Sequence, residues 1–416
     1  KYFHYVLCLS EAKGMDIMMT RSGEENTVMH LSREDQEWLD GTLDRIVKKM
    51  EAVRERNAEK IPAVAVKGVY DDRADQSIEW DMDNGINWWT NGFWGGIMWQ
   101  LYHYTGDERY MEIARISEEK MDRCFSMYYG LHHDVGFMWL PTAAADWRLT
   151  KNPESRKRAL LAASLLAGRF NPAGKFIRAW NDNVPGQTES NRGWAIIDCL
   201  FNIPLLYWAS EEIDDPRFKE IAMLHADTVA ENFIRKDGSV RHIVEFDPVT
   251  GEMVRELGGQ GYAEGTSWTR GQTWAIYGFA ISFRHTKKES YLEAAKKAAD
   301  RFLSRIPADW HIPVDFDQPE DPHIEDSTAA AVAAGGFLEL SRMIPDRAEA
   351  YRNAGIRLLK TLAADRCDFS PEIDGILSRC TGSYHGEKDR EVNFVYADYY
   401  FIEALLKLKG CDVKIW

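Results

Sequence analysis

The chain has 416 residues, enough for two or three average domains or for one large domain of repeated helical hairpins. A formal net charge of −15 argues against nucleic acid or an anionic membrane as the principal partner, while a local Arg or His can still hold an anionic small molecule. Aromatic residues make up 12 %, a supply that suits sugar-stacking grooves as well as a large core.

No apolar run approaches the roughly 18 residues that a membrane span requires. Cys8, Cys124, Cys199, Cys367, Cys380 and Cys411 are scattered without a C-x-x-C pair, as in reduced cytoplasmic proteins. Residues 1–31 read as a poorly ordered or artificial leader. Their apolar run is too short for a signal-peptide core, and Met15 and Met18 are candidate starts. Residues 32–416 read as one catalytic domain.

Ser32-Arg-Glu-Asp35 opens a helix that continues to about Arg56. After a connector over 61–83, an aromatic helix is predicted over 88–104 and an amphipathic one over 108–125. The unit then recurs: a polar turn leads to Tyr110, Phe218, Tyr291 or Tyr351, each opening an amphipathic helix, with a weaker copy from Lys151. Each copy follows a more apolar helix, predicted over 88–104, 194–210, 268–283 and 328–343, with a short one near 137–149 and a last one over 393–408. Apolar inner helices alternating with amphipathic outer ones predict an all-α fold, an (α/α)6 barrel of six helical hairpins. The long loops over 170–191 and 236–265, the second containing a short hairpin, would enclose a cavity at one end.

Asp198 stands inside the apolar run 191–208, on a flank shared with Trp194, Phe201 and Asn202. An ionised carboxylate there costs several kcal/mol unless it is bonded, paired or neutralised by a raised pKa. A raised pKa suits a general acid, and a cap or an Arg pair is the structural alternative. The cluster His132-His133-Asp134 raises a metal site, but neighbouring histidines diverge on a regular element and no second cluster completes it. Asp134 could equally cap the following turn. Between Gly258 and Tyr277, Arg270 and Trp274 lie four apart, so an Arg could grip a carboxylate while a sugar stacks; helix-start packing is the alternative. Neither a phosphate-binding glycine loop nor a G-x-S-x-G nucleophile pattern occurs.

Taken in order, WWTNGFW (88–94), HHDVGF (132–137), RGWAIIDCL (192–200), RHIVEFD (241–247) and GQGYAEGTSWTRGQTWAIYG (259–278) resemble the unsaturated glucuronyl hydrolases. The related unsaturated rhamnogalacturonyl hydrolases share the fold and the inner-helix Asp. The resemblance implies Asp198 as catalytic acid and base, Asp134 as second active-site carboxylate, and Trp88, His133, His242, Gln260, Trp268, Arg270 and Trp274 around the substrate. Ser383 and Lys388 match part of a Ser-x-x-Ser-x-Lys stretch whose second Ser is Gly386 here. The implied substrate is a short oligosaccharide from chondroitin, hyaluronan or heparin that ends in a 4,5-unsaturated uronic acid, handled by a monomer or weak homodimer without metal or cofactor. Such a sugar is a vinyl ether, open to protonation at C4 and capture by water at C5. A sugar epimerase using His133 and His242 as facing bases, and a sugar-binding protein indifferent to Asp198, are the other readings.

Overall fold

The computed structural model describes residues 31–74, 85–126, 130–182 and 190–416. The leader reading therefore concerns residues that, apart from Leu31, lie outside those described. In chain order the helices are α1 (Arg33–Arg56), α2 (Gly92–Thr105), α3 (Glu108–Lys120), α4 (Val135–Trp139), α5 (Ala145–Thr150), α6 (Pro153–Ala167), α7 (Pro204–Ile213), α8 (Pro216–Asn232), α9 (Thr269–Thr286), α10 (Glu289–Arg305), α11 (Ser327–Met343), α12 (Ala348–Asp365) and α13 (Val395–Lys409). Ser32 caps α1 by accepting the Asp35 N–H at 3.0 Å, as the spacing of those residues predicts.

Two kinds of helix alternate. In α10, Tyr291, Leu292, Ala295, Ala298, Ala299 and Phe302 are buried and the other face is wet, the stripe of an outer helix. In α9, α11 and α13 nearly every residue is buried, because each is covered by neighbours within the ring and by an outer partner. Helix α9 packs on α11, α11 on α13, and α13 back on α2, which closes the ring. Outside it, α2 pairs with α3, α7 with α8, α9 with α10, and α11 with α12. The architecture is the (α/α)6 barrel that the alternation predicts.

The second inner member is not one helix. Helices α4 and α5 are joined by a π-helical turn, Leu140–Ala144, at Pro141, whose missing N–H interrupts a regular ladder. The third departs further from the predicted 194–210 helix. Residues Trp194–Ile196 form a strand, Ile197–Phe201 a 3-10 turn, and α7 starts only at Pro204. Proline fits the first turn of a helix and breaks an interior, so Pro204 sets the boundary. Similarly, the helix predicted from 88 begins at Gly92, and the one predicted to 125 ends at Lys120 with a 3-10 turn beyond it.

Short strands decorate the ends. β1 (Val64–Val66) lies between β2 (Val69–Tyr70) and β8 (Asn393–Phe394), while β3 (Phe170–Asn171) pairs with β4 (Phe176–Ile177). The third sheet orders β5 (Trp194–Ile196), β6 (Ile243–Phe246) and β7 (Met253–Leu257) as an antiparallel ribbon, with Ala195 opposite Val244. The hairpin predicted in 236–265 is β6–β7, and it recruits the segment ahead of Asp198 as a third strand.

An aromatic plug fills the ring's centre. Phe201 packs on Trp274 at 4.9 Å, Tyr277 at 5.1 Å and Trp416 at 5.2 Å between centroids, and Trp416 stacks on Tyr400. Phe137 packs against both Phe201 and Trp274. Truncating Phe201 to Ala removes the shared partner of this cluster and should cost about 3–5 kcal/mol in denaturant unfolding. A loss below about 1 kcal/mol would mean that the plug repacks freely.

Candidate active site

Two carboxyl groups meet at one end of the barrel. Asp134 precedes α4, and Asp198 lies in the 3-10 turn after β5. The loop before α4 is held by the His133 N–H donating to Ala179 O at 3.1 Å. On this irregular segment both rings turn toward Asp134: His132 Nδ1 lies 3.2 Å and His133 Nε2 3.4 Å from its Oδ2. The sequence argument that neighbouring histidines diverge therefore fails here. The three donor atoms lie within 4.8 Å of one another, a spacing that could serve a metal ion. Asp134 does not cap its own helix; its Oδ1 accepts the Asn202 amide at 3.1 Å.

The two carboxyls are driven apart in pKa. Burial, reinforced by the negative charge of Asp134, pushes Asp198 up to about 8, against the opposing pull of the Arg270 cation. Burial also works to raise Asp134, but the His133 and His132 rings and the Asn202 amide outweigh it and hold that carboxyl below the usual range. Near neutral pH one carboxyl is thus protonated and the other ionised. About 15 % of the Asp198 side chain remains accessible, though not its buried Oδ1, which has no hydrogen-bond partner among the described residues.

His242, one residue before β6, faces Asp198 across 4.0 Å, too far for a hydrogen bond and a gap that one water can bridge. The Gln260 N–H donates to His242 Nδ1 at 3.0 Å, which makes Nδ1 the acceptor and leaves the proton of the neutral ring on Nε2, toward Asp198. Burial lowers His242 to about 3 and His133 to about 4, so both are neutral at working pH.

The remaining predicted residues divide. Trp268 lies against His242, ring centroids 4.2 Å apart, with the Arg270 guanidinium over it at 4.6 Å. Arg270 is fully buried and committed to the protein: its terminal nitrogens donate to Asp326, Thr381 O and Gly382 O at 2.6 Å each. Those bonds fit the structural alternative, in which it serves the packing around the start of α9. It pins the loop before Ser383, as does the Gln260 side chain through Gly382 O at 2.8 Å. Trp274 is buried among Phe137, Phe201 and Tyr400. Trp88 is half-buried at the rim beside Trp89, Ser383 is half-buried, and Lys388 is exposed on a 3-10 turn. At Gly386 a serine side chain would meet the Asp389 carboxylate and the Ser383 hydroxyl, which would have to shift to admit it. Asn202, which binds both carboxylate segments, was visible in the sequence only as a neighbour of Asp198.

This chain resembles known proteins over most of its length. The sequence profile of Glycosyl Hydrolase Family 88 matches residues 53–340. The chain belongs to that family. It is accordingly a glycoside hydrolase. It is 39% identical over 342 residues to the unsaturated glucuronyl hydrolase of Bacillus sp. (strain GL1), covering 79% of this chain and 88% of that one. It is 36% identical over 329 residues to the unsaturated chondroitin disaccharide hydrolase of Streptococcus pyogenes serotype M1, covering 77% and 80%. The crystal structure of the Bacillus sp. GL1 unsaturated glucuronyl hydrolase superposes with a TM-score of 0.82 at 32% identity, covering 89% of this chain and 97% of that one.

Gly259 tests the placement of His242. It has φ +58, and a methyl group there would collide with His242 Nδ1. Gly259→Ala should lower kcat on a lyase-generated disaccharide about 10- to 100-fold by displacing the ring. Turnover at the parent rate in a folded Gly259→Ala protein would show that the His242 position is not critical.

Proposed function

We propose that the enzyme removes the 4,5-unsaturated uronic acid from the non-reducing end of short glycosaminoglycan oligosaccharides by hydrating the C4–C5 double bond, with Asp198 as general acid and base. The carrying observation is Asp198 itself: a carboxyl that keeps its proton to about pH 8, beside an ionised partner, with a buried Oδ1 that has no hydrogen-bond partner among the described residues. A vinyl ether asks for that group. Protonation at C4 places positive charge on C5 and the ring oxygen. Water adds at C5 and gives its proton to the now ionised Asp198. The product is a hemiketal, which opens and releases the next sugar. A single carboxyl serves both proton transfers, whereas an inverting glycosidase holds water between two.

His242 is suited to holding that water, because its Nε2–H donates to the oxygen while its depressed pKa unfits it as a base. The same features weigh against an epimerase with His133 and His242 as bases. Asp134 keeps Asp198 protonated and accepts ring hydroxyls. Half-buried Trp88 offers apolar surface to the sugar, and Ser383 and Lys388 are the candidates for its carboxylate. Relatives named for glucuronyl and chondroitin disaccharide hydrolysis support disaccharides of the chondroitin type. No helix among the described residues is long and apolar enough to cross a membrane, and Cys199, Cys367 and Cys380 are free thiols, which supports a cytoplasmic site of action.

The test follows the ultraviolet absorbance of the unsaturated uronate when the enzyme meets lyase-generated disaccharides of chondroitin, hyaluronan and rhamnogalacturonan. Absorbance should fall with a glycosaminoglycan disaccharide, and Asp198→Asn should slow the loss by at least about 10²–10⁴-fold. Persistence of the rate in Asp198→Asn would remove Asp198 from the reaction. A preference for the rhamnogalacturonan product would reassign the substrate.

Two pH effects accompany this role. Turnover requires protonated Asp198, so kcat should fall as pH rises through about 8. The same raised pKa means that the folded protein binds a proton that the unfolded chain releases above its ordinary value of 3.8, so this group's contribution to stability declines as pH rises from there to about 8. Asp198→Asn should therefore be more stable than the parent at pH 7, on the order of a few kcal/mol, with the difference shrinking toward pH 4. Thermal unfolding at the two pH values checks the sign.

A further inference from the structure

Asn202 is fully buried and follows the Asp198 turn, with its own N–H donating to Cys199 O at 2.9 Å. Its side chain makes three contacts across two segments. Oδ1 accepts the Phe137 N–H at 2.8 Å; Nδ2 donates to Asp134 Oδ1 at 3.1 Å and to the Asp198 carbonyl at 3.3 Å. The amide orientation is forced, since the Phe137 N–H can only donate and must face the oxygen.

Phe137 is the third residue of α4, and Asp134 stands at the N-cap. An Asp in that place ordinarily accepts the N–H of the second or third helical residue. Here it makes no such bond, because Asn202 takes the Phe137 amide from another segment. We propose that Asn202 is a positioning residue: it caps α4 in place of Asp134, so that the Asp134 carboxylate is released into the active site and fixed there by the same side chain. Gly136 permits the approach, because any Cβ at that position would strike the Asn202 backbone and side chain.

The inference rests on the acid–base roles proposed for Asp198 and Asp134. The titratable and charged groups around the pair are His132, His133 and Arg169 on the Asp134 side, and His242, Arg270, Cys199 and Tyr400 on the Asp198 side. None of them supplies the Phe137 amide with an acceptor. With Asn202 removed, Asp134 is the nearest group that can, and turning to that amide takes its charge away from Asp198.

Two variants test this through the pH profile of kcat. Asn202→Leu keeps the volume and loses all three bonds. Its kcat should fall about 10- to 100-fold with KM changed less than about threefold. Its alkaline limb should fall by about one unit, as Asp198 loses its charged neighbour. Asn202→Asp keeps the acceptor for Phe137 but sets a carboxylate beside Asp134, so its alkaline limb should not fall. Where the Leu variant does not fold or is too slow to profile, the Asp variant decides. A parent-like profile in a folded Asn202→Leu protein, a fallen alkaline limb in Asn202→Asp, or a loss confined to KM, overturns the positioning role. Failure of the underlying reading looks different: the parent would then show no alkaline limb, or Asp198→Asn would retain turnover.

Discussion

Two neighbouring buried carboxyl groups cannot both hold a full charge at moderate cost, and the active end of this barrel depends on how that conflict is resolved. The charge is assigned to Asp134, which collects hydrogen-bonding partners from its own loop and from Asn202. Asp198 collects none for its Oδ1 and keeps its proton instead. The asymmetry comes from the backbone. Asp134 precedes a helix whose third N–H is satisfied elsewhere, while Asp198 sits in a short turn held between β5 and α7.

The rest of the barrel keeps that arrangement rigid. Phe137 and Phe201 each stand three residues after one of the two carboxyl residues, and they pack on each other, Trp274 and Trp416. Side chains that the reaction never touches thus fix the separation of those that it does. Arg270 contributes in two ways. Its buried bonds to Asp326, Thr381 and Gly382 anchor the loop carrying Ser383, and its charge limits how far Asp198 can rise. The enzyme that results belongs to a glycoside hydrolase family yet needs no attack at the anomeric carbon, provided that its substrate is the vinyl ether.

The alternation of helices was legible because burial on all sides and burial on one face leave different patterns: α9 and α11 read as apolar throughout, α10 as a stripe. Where the sequence misled, a local rule gave way to a distant partner. The run around Asp198 has helical spacing, but Pro204 ends any helix reaching it from below and β6 captures residues 194–196. Asp198, Asp134, His133 and His242 were readable as site residues through motif order and are brought together. Arg270 and Trp274 carry the composition of a sugar pocket, and only the positions of Asp326, Gly382 and Tyr400 show that the protein itself occupies them. Asn202 was readable only as a neighbour of Asp198, since its partners in the other segment, Phe137 and Asp134, are 65 and 68 residues away.

The central claim is that Asp198 is protonated in the resting enzyme at neutral pH while Asp134 is not. Infrared difference spectra of the parent against Asp198→Asn, taken across a pH series, read that carboxyl directly. The account predicts a protonated carboxyl band that persists through pH 7 and gives way to carboxylate near pH 8. A band already lost by pH 5 would contradict it, and the general acid would then have to be sought in another group.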